Sequence, residues 1–582
     1  MTAETRAAKG VPARPAPPKP VESRRWVPRV AGLLTYFAGL LDLASALTPA
    51  EHSRVKELTT VVPGAFTHAA TAATVVSGLL LLMLAHSLRR RKRRAWRAVV
   101  ALLGASVALH VVKGLDVEEA VVAAVVLAGL VYYRREFRAK GDPRTRWRAL
   151  GVGLMLVVVS FLLGVLMLGS QLGHVTGDHS VVAVVRHVAF GLVGVHGPLR
   201  FDAGGARADG VIGDTLLALG VLTALTVAYL ALRTPEPRPH LTPDDEERLR
   251  ALLARHGGRD SLGYFALRRD KSLVWSPTGK AAVAYRVVSG VLLASGDPVG
   301  DPEAWPGALK EFLALAEDHA WVPAVIGCGE QAGAAWVRAG LTALEIGDEA
   351  IVDVAEFGLE GRAMRNVRQC VVHVEREGYT ARVRRVRDIP PEELDAVRNA
   401  TSAWRGAETE RGFSMALGRI GDGADPETVL VTAYEDGRLR GFLHFVPWGT
   451  DGLSLDVMRR DRDADRGLNE FLIVSALRAA PGLGVTRVSL NFAVFRSALE
   501  RGERLGAGPI IRLWRGVLLF ASRWFQIETL YRFNAKFRPV WEPRYVCFPA
   551  MRDVPRIAVA ALEAEAFIVW PTKWMKRLPF AP

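Results

Sequence analysis

The sequence predicts a multi-domain protein: a polytopic α-helical membrane region of about six spans, followed by a cytoplasmic half of mixed α/β (α+β) character. Three observations carry this. Apolar segments recur between Val27 and Leu232, a proline-rich stretch (Thr234–Pro243, TPEPRPHLTP) follows them, and the remainder mixes helix-period with strand-period patterns. That remainder is about 350 residues, enough for two domains of ordinary size.

Residues 1–25 hold clustered prolines among Lys9, Arg14, Lys19, Arg24 and Arg25 and show no apolar period, which reads as a disordered basic tail. Arg24 and Arg25 before an apolar run, with Ala44-Ser45-Ala46 after it, imitate an export signal, but Asp42 interrupts the run and further spans follow. The membrane region is set at 26–233. Its apolar segments are 27–47, 61–87, 95–115, 117–133, 149–170 and 211–232, each near the length of about 20 residues that a span requires. Basic loops follow the second segment (Arg89–Arg94) and the fourth (Arg134–Arg148), whereas the acidic Asp116–Glu119 lies between the third and fourth. Basic loops stay inside, so both termini and the soluble half are expected in the cytoplasm, at the inner cell membrane. The outward loop 171–210 carries His174, Asp178, His179, His187 and His196; hydrogen-bonded loop histidines are the preferred reading over a metal site. Asp42, His110 and Lys113 fall within or at the edge of spans, where ionisable side chains are costly.

A formal charge of +15 favours polyanionic partners, nucleic acid or an anionic lipid surface. Cys328, Cys370 and Cys547 are far apart in sequence and form no CxxC, which argues against a zinc site or a disulfide framework. After the linker 234–243, a first domain is expected over 244–358, with a helix over Asp244–His256, short strands including Tyr264–Leu267, and a helix over Trp305–His319. A connecting helix follows over 359–378. On a helical wheel Arg362, Arg365, His373 and Arg376 share one face, opposite Met364, Val367, Val371 and Val374. A basic stripe of this kind is either a solvated face or a polyanion contact. The second domain, 379–550, contains a hairpin through Asp436-Gly437. The C-terminal stretch 551–582, with Trp570, Lys573, Trp574, Lys576 and Arg577, reads as a membrane-surface tail. Ile510–Phe533 interleaves Arg512, Trp514, Arg515, Arg523 and Trp524 with apolar residues, as either a lipid-contacting or a core segment.

The chemistry is placed in Gly452–Gly467 (GLSLDVMRRDRDADRG). A strand brings in the carboxylate of Asp456 and the guanidinium groups of Arg459 and Arg460 just before a helix. Asp456 suits either a base for a hydroxyl or an anion holding an ammonium group, and the residues leave both open. Arg459 and Arg460 match phosphate oxygens, and Lys536 and Arg538 add charges of the same kind. Surface ion pairs are the plain alternative for each. Glu528 and Asn491 read as structural.

Five ordered blocks resemble the aminoacyl-phosphatidylglycerol synthase family, of the multiple peptide resistance factor type: Gly296–Gly300 (GDPVG), Leu344–Arg362, Arg365–Tyr379, Ser454–Arg459 (SLDVMR) and Leu530–Tyr545. The resemblance implies two acetyltransferase-like (GNAT) folds in tandem joined by the basic helix. It also implies transfer of an aminoacyl group, lysine or alanine, from aminoacyl-tRNA to the glycerol hydroxyl of phosphatidylglycerol. Asp456, Arg459 and Lys536 are then the catalytic candidates, and Arg362, Arg365, Arg376, Arg460 and Arg538 the groups for tRNA or lipid phosphate. The donor ester is already activated, so no cofactor and no metal is expected; GxxxxGKS/T, HExxH and GxSxG motifs are indeed missing. The implied partners are charged tRNA, the anionic membrane and a separate aminoacyl-tRNA synthetase, since no room remains here for the synthetase that some relatives append; a homo-oligomer stays open. A cationic product would lower the negative surface potential and weaken binding of cationic peptides. Acyl-CoA-dependent N-acyl transfer is the competing enzyme reading. Arg459–Gly467 disfavours it, because it has one glycine and three aspartates where a pyrophosphate-cradling loop is needed. Outside enzyme chemistry, the same pattern would fit a non-catalytic lipid-binding protein or a transporter.

Overall fold

The computed structural model describes residues 26–47, 65–89, 91–114, 117–137, 144–169, 175–176, 180–195, 197–201, 206–232, 237, 239–405, 412–494 and 527–568. The chain forms two compact units, 1–232 and 233–582, each described by itself.

The first unit consists of helices α1 (Val27–Leu47), α2 (Ala65–Arg89), α3 (Arg93–Gly114), α4 (Val117–Tyr132) and α5 (Arg144–Gly169), strand β1 (Val175–Thr176), the short helix α6 (Val181–Gly191), strand β2 (Arg200–Phe201) and helix α7 (Ala206–Leu232). Each of the six expected apolar segments is thus helical over its described residues. Among the described residues, stretches of three helices are long and apolar enough to cross a membrane: Val27–Ala44, Gly151–Gly169 and Gly210–Leu230. Small residues let α1 and α2 touch: a Cβ on Gly39 would come within 2.8 Å of the Gly78 carbonyl oxygen, and one on Gly78 equally close to that of Gly39. Asp42 is buried and accepts from Ser106 Oγ at 3.0 Å. His187, on α6, is buried edge-on to Phe201. His174, His179 and His196 lie outside the described residues, as do the side chains of His110 and Lys113.

The second unit begins with α8 (Pro243–His256), whose N-cap Thr242 accepts from Asp245 N. Next come β3 (Ser272–Trp275), β4 (Ala281–Val288), β5 (Val291–Ser295), β6 (Val299–Gly300), α9 (Trp305–His319), β7 (Val322–Cys328), α10 (Glu330–Arg338), β8 (Thr342–Asp353) and α11 (Arg365–Arg376). The chain continues through β9 (Thr380–Arg385), α12 (Pro391–Arg405), β10 (Val429–Glu435), β11 (Arg438–Trp448), β12 (Gly452–Arg460), α13 (Leu468–Ala479), β13 (Arg487–Val494), α14 (Ile527–Ala535), β14 (Val540–Phe548) and α15 (Val554–Ala564). One sheet runs through the unit in the order β3-β4-β5-β7-β14-β8-β13-β12-β11-β10-β9, with β6 on β4.

This order contains the same pattern twice. An antiparallel meander leads through a helix to a parallel strand, as β5–α9–β7 and again as β12–α13–β13. These are the two acetyltransferase-like halves. Each then sends its last strand into the other: β8 pairs with β13, and β14 pairs with β7. The two exchanged strands pair with each other at the centre. Neither half closes its sheet without the other, so the expected domain limits, 244–358 and 379–550, do not fall between independent sheets.

Packing explains the helices. Val367, Val371 and Val374 of α11, with Met364, are buried against α13 and the inner side chains Leu453 and Leu455 of β12. Arg365, His373 and Arg376 are exposed on the opposite face, and Arg362 is exposed in the turn before the helix, which starts at Arg365 rather than at the expected 359. The segment Tyr264–Leu267, expected as a strand, is a 3-10 turn over Gly263–Leu267, closed by Gly263 N to Asp260 O at 3.0 Å and Phe265 N to Leu262 O at 3.1 Å. Its apolar run is too short for periodicity to separate the two. The expected membrane-surface tail likewise begins as core. Ile557, Ala560 and Ala564 of α15 pack on Val288, Val291 and Val322, whereas Trp570–Arg577 lie outside the described residues, as does most of Ile510–Phe533. Cys328 and Cys547, distant in sequence, are brought to an Sγ–Sγ separation of 3.7 Å as buried thiols on neighbouring strands.

Candidate active site

Strands β12 and β13 run parallel but pair only from Gly452–Ser454 to Arg487–Ser489. Beyond that the sheet forks. Asn491 stands in the fork with φ +73°, a left-handed conformation that Asn tolerates better than most residues. Its amide donates to Leu455 O at 2.6 Å across the gap, while its own N–H reaches Ser489 Oγ at 3.2 Å. The residue read from sequence as structural therefore props the opening.

Asp456 lies on the strand edge of this fork. Leu453 and Leu455 point into the core beneath α13, so alternation turns Ser454 and Asp456 to the opposite face. A register shift between His444 and Phe445 of β11 brings His444 next to Asp456 on that face. His444 Nδ1 is 2.6 Å from Asp456 Oδ2, and Leu417 N donates to Oδ1 at 2.8 Å. Both side chains are sealed, at 1% and 0% exposure. Asp456 thus has one oxygen facing His444 Nδ1 and the other on the Leu417 amide. Sequence reasoning missed His444. The only trace was its place in a hairpin whose return strand carries Asp456, and the bulge that aligns them has no signature.

The segment supplying Leu417 is held firmly. Arg268 donates to Ala416 O at 3.0 Å, Arg419 pairs with Asp425 at 2.6 Å, and Asp425 also accepts from Arg250 at 2.7 Å and Tyr264 Oη at 2.8 Å. Glu565 of the chain's last described helical turn accepts from Phe413 N at 2.7 Å and Ser414 N at 3.0 Å. Behind Phe413 lies Lys271, fully buried, donating to Ser295 Oγ at 2.7 Å and Phe265 O at 3.0 Å with its ammonium 4.6 Å from the Phe413 ring. Burial and the neighbouring Arg268 charge lower its pKa to about 7.

A buried polar row continues from the fork along the same sheet face. Ser489 donates to Glu349 of β8, which also receives Ser261 Oγ and the guanidinium of Arg544 on β14. Arg544 further reaches Asp260 at 2.8 Å and Ser261 Oγ at 2.7 Å. Burial works against its charge, but Glu349, Asp260 and Asp297 outweigh it and hold the guanidinium protonated. Asp297, from the GDPVG block, accepts from Gly329 N at 2.7 Å; burial and the nearby Asp260 push its pKa up to about 7.

The remaining predicted residues fall into separate settings. Lys536, after α14, is 2.7 Å from Glu470 in the first turn of α13, and its ammonium stands 5.2 Å from the Phe533 ring. Arg459 is opposite Phe442 in the β11–β12 ladder. Arg460 is taken up by its own loop, donating to Ala464 O at 2.9 Å and Asp465 O at 3.2 Å, which leaves it poorly placed for a substrate phosphate. Arg538 is exposed at φ +51°. On α11, His373 stands 3.8 Å from Glu377 and 3.9 Å from Asp465, so carboxylates do border the stripe, but among the described residues Arg362, Arg365 and Arg376 make no ion pair. A cleft of about 510 Å³ at the paired end of β12, lined by Arg250, Arg385, Glu427 and Gly452, lies away from the fork. Among the described residues no cluster of three or more His, Cys, Asp or Glu is placed to hold a metal.

The second unit thus has a forked sheet of two acetyltransferase-like folds, and the first has apolar helices of membrane-spanning length. Similarity to known proteins narrows the class. Residues 250–548 match the family described as "Phosphatidylglycerol lysyltransferase, C-terminal", and residues 23–229 match "Transmembrane region of lysyl-tRNA synthetase". The chain is 43% identical over 500 residues to the lysylphosphatidylglycerol biosynthesis bifunctional protein of Rhodococcus jostii (strain RHA1), covering 85% of this chain and 44% of that one. It is 40% identical over 570 residues to the protein of the same name from Mycobacterium avium (strain 104), covering 94% and 47%. The second unit shares its fold with L-PGS from Bacillus licheniformis, at a TM-score of 0.50 and 23% identity over 57% of this chain and 99% of that one. The chain belongs to the phosphatidylglycerol lysyltransferase family, and it spans about half the length of the curated relatives it matches. It is a membrane protein.

Proposed function

We propose that this protein is a multi-pass membrane aminoacyltransferase that moves an aminoacyl group, lysine by the names of its relatives, from aminoacyl-tRNA to the glycerol hydroxyl of phosphatidylglycerol. The observation that carries the reading is the family match over 250–548, which spans the fork and every site residue expected from sequence. The chemistry exchanges one ester for another, and the protein has to orient the hydroxyl, receive its proton and stabilise the oxyanion that forms. The fork offers a rigid polar floor for this at the end of β12. Lys536 supplies a cation for the oxyanion or a phosphate, and Arg459 a planar donor. Arg365 and Arg376 on α11, with Arg362 in the turn before it, form a basic stripe for tRNA. Arg538 supplements them. Basic loops at Arg89–Arg94 and Arg134–Arg148 support a cytoplasmic second unit, on the side where charged tRNA is found. An aminoacyl-tRNA synthetase supplies that tRNA, and the product reduces the negative charge of the membrane surface.

The test is lipid extraction from cells expressing the wild type or Asp456→Asn, with mass spectrometry of phosphatidylglycerol derivatives. The wild type yields a lysylated lipid and the variant does not; no aminoacylated lipid from either would sink the reading. Ribonuclease abolishes transfer in isolated membranes if tRNA is the donor, whereas persistence of transfer points to coenzyme A.

A further inference from the structure

The fork contains polar atoms that a sealed core would not leave unmet. His444 Nε2, Ser454 Oγ and Asn491 Oδ1 are all buried and have no hydrogen-bond partner among the described residues. They come from three consecutive strands of the sheet, β11, β12 and β13, at the point where the last two part. A buried polar atom without a partner is destabilising, so three in one place mark groups that acquire partners in the working state.

The bonds already made fix what each orphan offers. Asn491 uses its amide N–H on Leu455 O, so the side left over is an acceptor. Asp456 accepts from Leu417 N on one oxygen and faces His444 Nδ1 on the other. Nδ1 therefore carries the imidazole proton, and Nε2 is left with its lone pair. A carboxylate that fixes the tautomer and a free Nε2 beside other acceptors form a receptor for a hydroxyl proton.

We infer that His444 is the catalytic base of the transfer and that Asp456 is its positioning residue. The inference rests on the acyl-transfer reading above. The lipid hydroxyl oxygen attacks the ester carbonyl carbon, its proton passes to His444 Nε2, and a tetrahedral intermediate forms. The bond from that carbon to the tRNA ribose oxygen then breaks, and His444 returns the proton to the ribose oxygen. Atoms and charge balance with no further reactant. The imidazolium formed in between is stabilised by Asp456. Ser454 and Asn491 orient the incoming group.

The experiment uses the full-length protein in phosphatidylglycerol vesicles with radiolabelled lysyl-tRNA. If the wild type forms no lipid product, the acyl-transfer reading fails, and with it the premise; the variants address His444 once the wild type is active. His444→Gln then lowers kcat by roughly 10²–10⁴-fold, the usual worth of a general base, while KM for the tRNA stays within about threefold. Imidazole added to His444→Gly restores turnover in proportion to its concentration, which a purely structural role would not produce. Adding Asp456→Asn to His444→Gln costs less than about threefold more, because the two act as a unit. Three results overturn the assignment: His444→Gln within about fivefold of wild-type kcat, a loss confined to KM as an ammonium-binding role would give, or no rescue by imidazole. Melting of each variant is compared with that of Ser454→Ala, and if His444→Gln does not fold, imidazole rescue of His444→Gly decides alone.

Discussion

Replacing Arg544 by Met removes the cation on which the exchanged strands converge. Its guanidinium, 4% exposed, holds Glu349 of β8, Asp260 at 2.8 Å and Ser261 Oγ at 2.7 Å, and it reaches Gly327 O of β7 at 3.3 Å. Glu349 is fully buried, so after the substitution it keeps only the hydroxyls of Ser261 and Ser489. Two charge-assisted contacts at about 1.5–3 kcal/mol each suggest a loss of about 3–6 kcal/mol. Breaking a buried pair from one side typically costs about 3–5 kcal/mol, and we adopt that narrower range. In urea, with a slope of about 3 kcal/mol/M or somewhat more for a unit of this size, the midpoint falls by roughly 1 M or more. The assay is tryptophan fluorescence of the intact chain in detergent, with the unfolding of Arg544→Met compared with wild type. The double variant Arg544→Met with Glu349→Gln recovers part of the loss, because no unpaired charge then remains on β8. A midpoint for Arg544→Met within about 0.3 M of wild type would refute the claim that this cation ties the halves together.

Three further outcomes follow from the same geometry. Lys271 has its folded pKa lowered to about 7 from 10.5, so between those values the unfolded chain binds more protons; stability of the second unit rises with pH across roughly 7 to 10, and thermal melts of Lys271→Met lack that rise. Arg268, Asp270, Glu565 and Asp260 face the same amine and are the groups whose substitution shifts the window. Reversing Arg362, Arg365 and Arg376 to Glu weakens tRNA binding at low salt and reduces the log–log salt slope by about 2–3, measured by fluorescence anisotropy; an unchanged slope means the stripe faces only water. Lys536→Ala leaves stability within about 1 kcal/mol, since its pair with Glu470 is 42% exposed on the lysine side, but lowers lipid aminoacylation about 10²-fold; wild-type turnover would remove Lys536 from the site.

Local chemistry was legible and long-range pairing was not. Asp436-Gly437 announced a hairpin because both positions must accept positive φ, and they do, at +49° and +78°. The inward row of α11 followed from a wheel because a helix on a sheet has to bury one stripe. Asp456 was located from its strand and its neighbours, yet its partner His444 depended on a one-residue shift in a ladder, which leaves no mark on either strand. Asn491 reads as structural from sequence, and its left-handed backbone and the separation of β12 from β13 that it bridges emerge only in the fold.

The exchange of last strands explains why the fork and the polar row occur together. In one half alone, β13 would end the sheet beside its own β14, and Glu349 and Arg544 would lie on separate sheets. Crossing β8 and β14 instead sets Glu349 beside Ser489 and brings Arg544 onto Glu349, so a continuous polar row leads from the centre of the sheet to the opening. The arrangement has a kinetic consequence. β7 waits for a partner that is made more than two hundred residues later, Cys547 pairing near Val325, so the first half stays open along that edge until synthesis has passed β14. An unpaired edge of that kind invites wrong pairing. The site is thereby completed only when both halves are present, which couples assembly of the fork to assembly of the whole second unit.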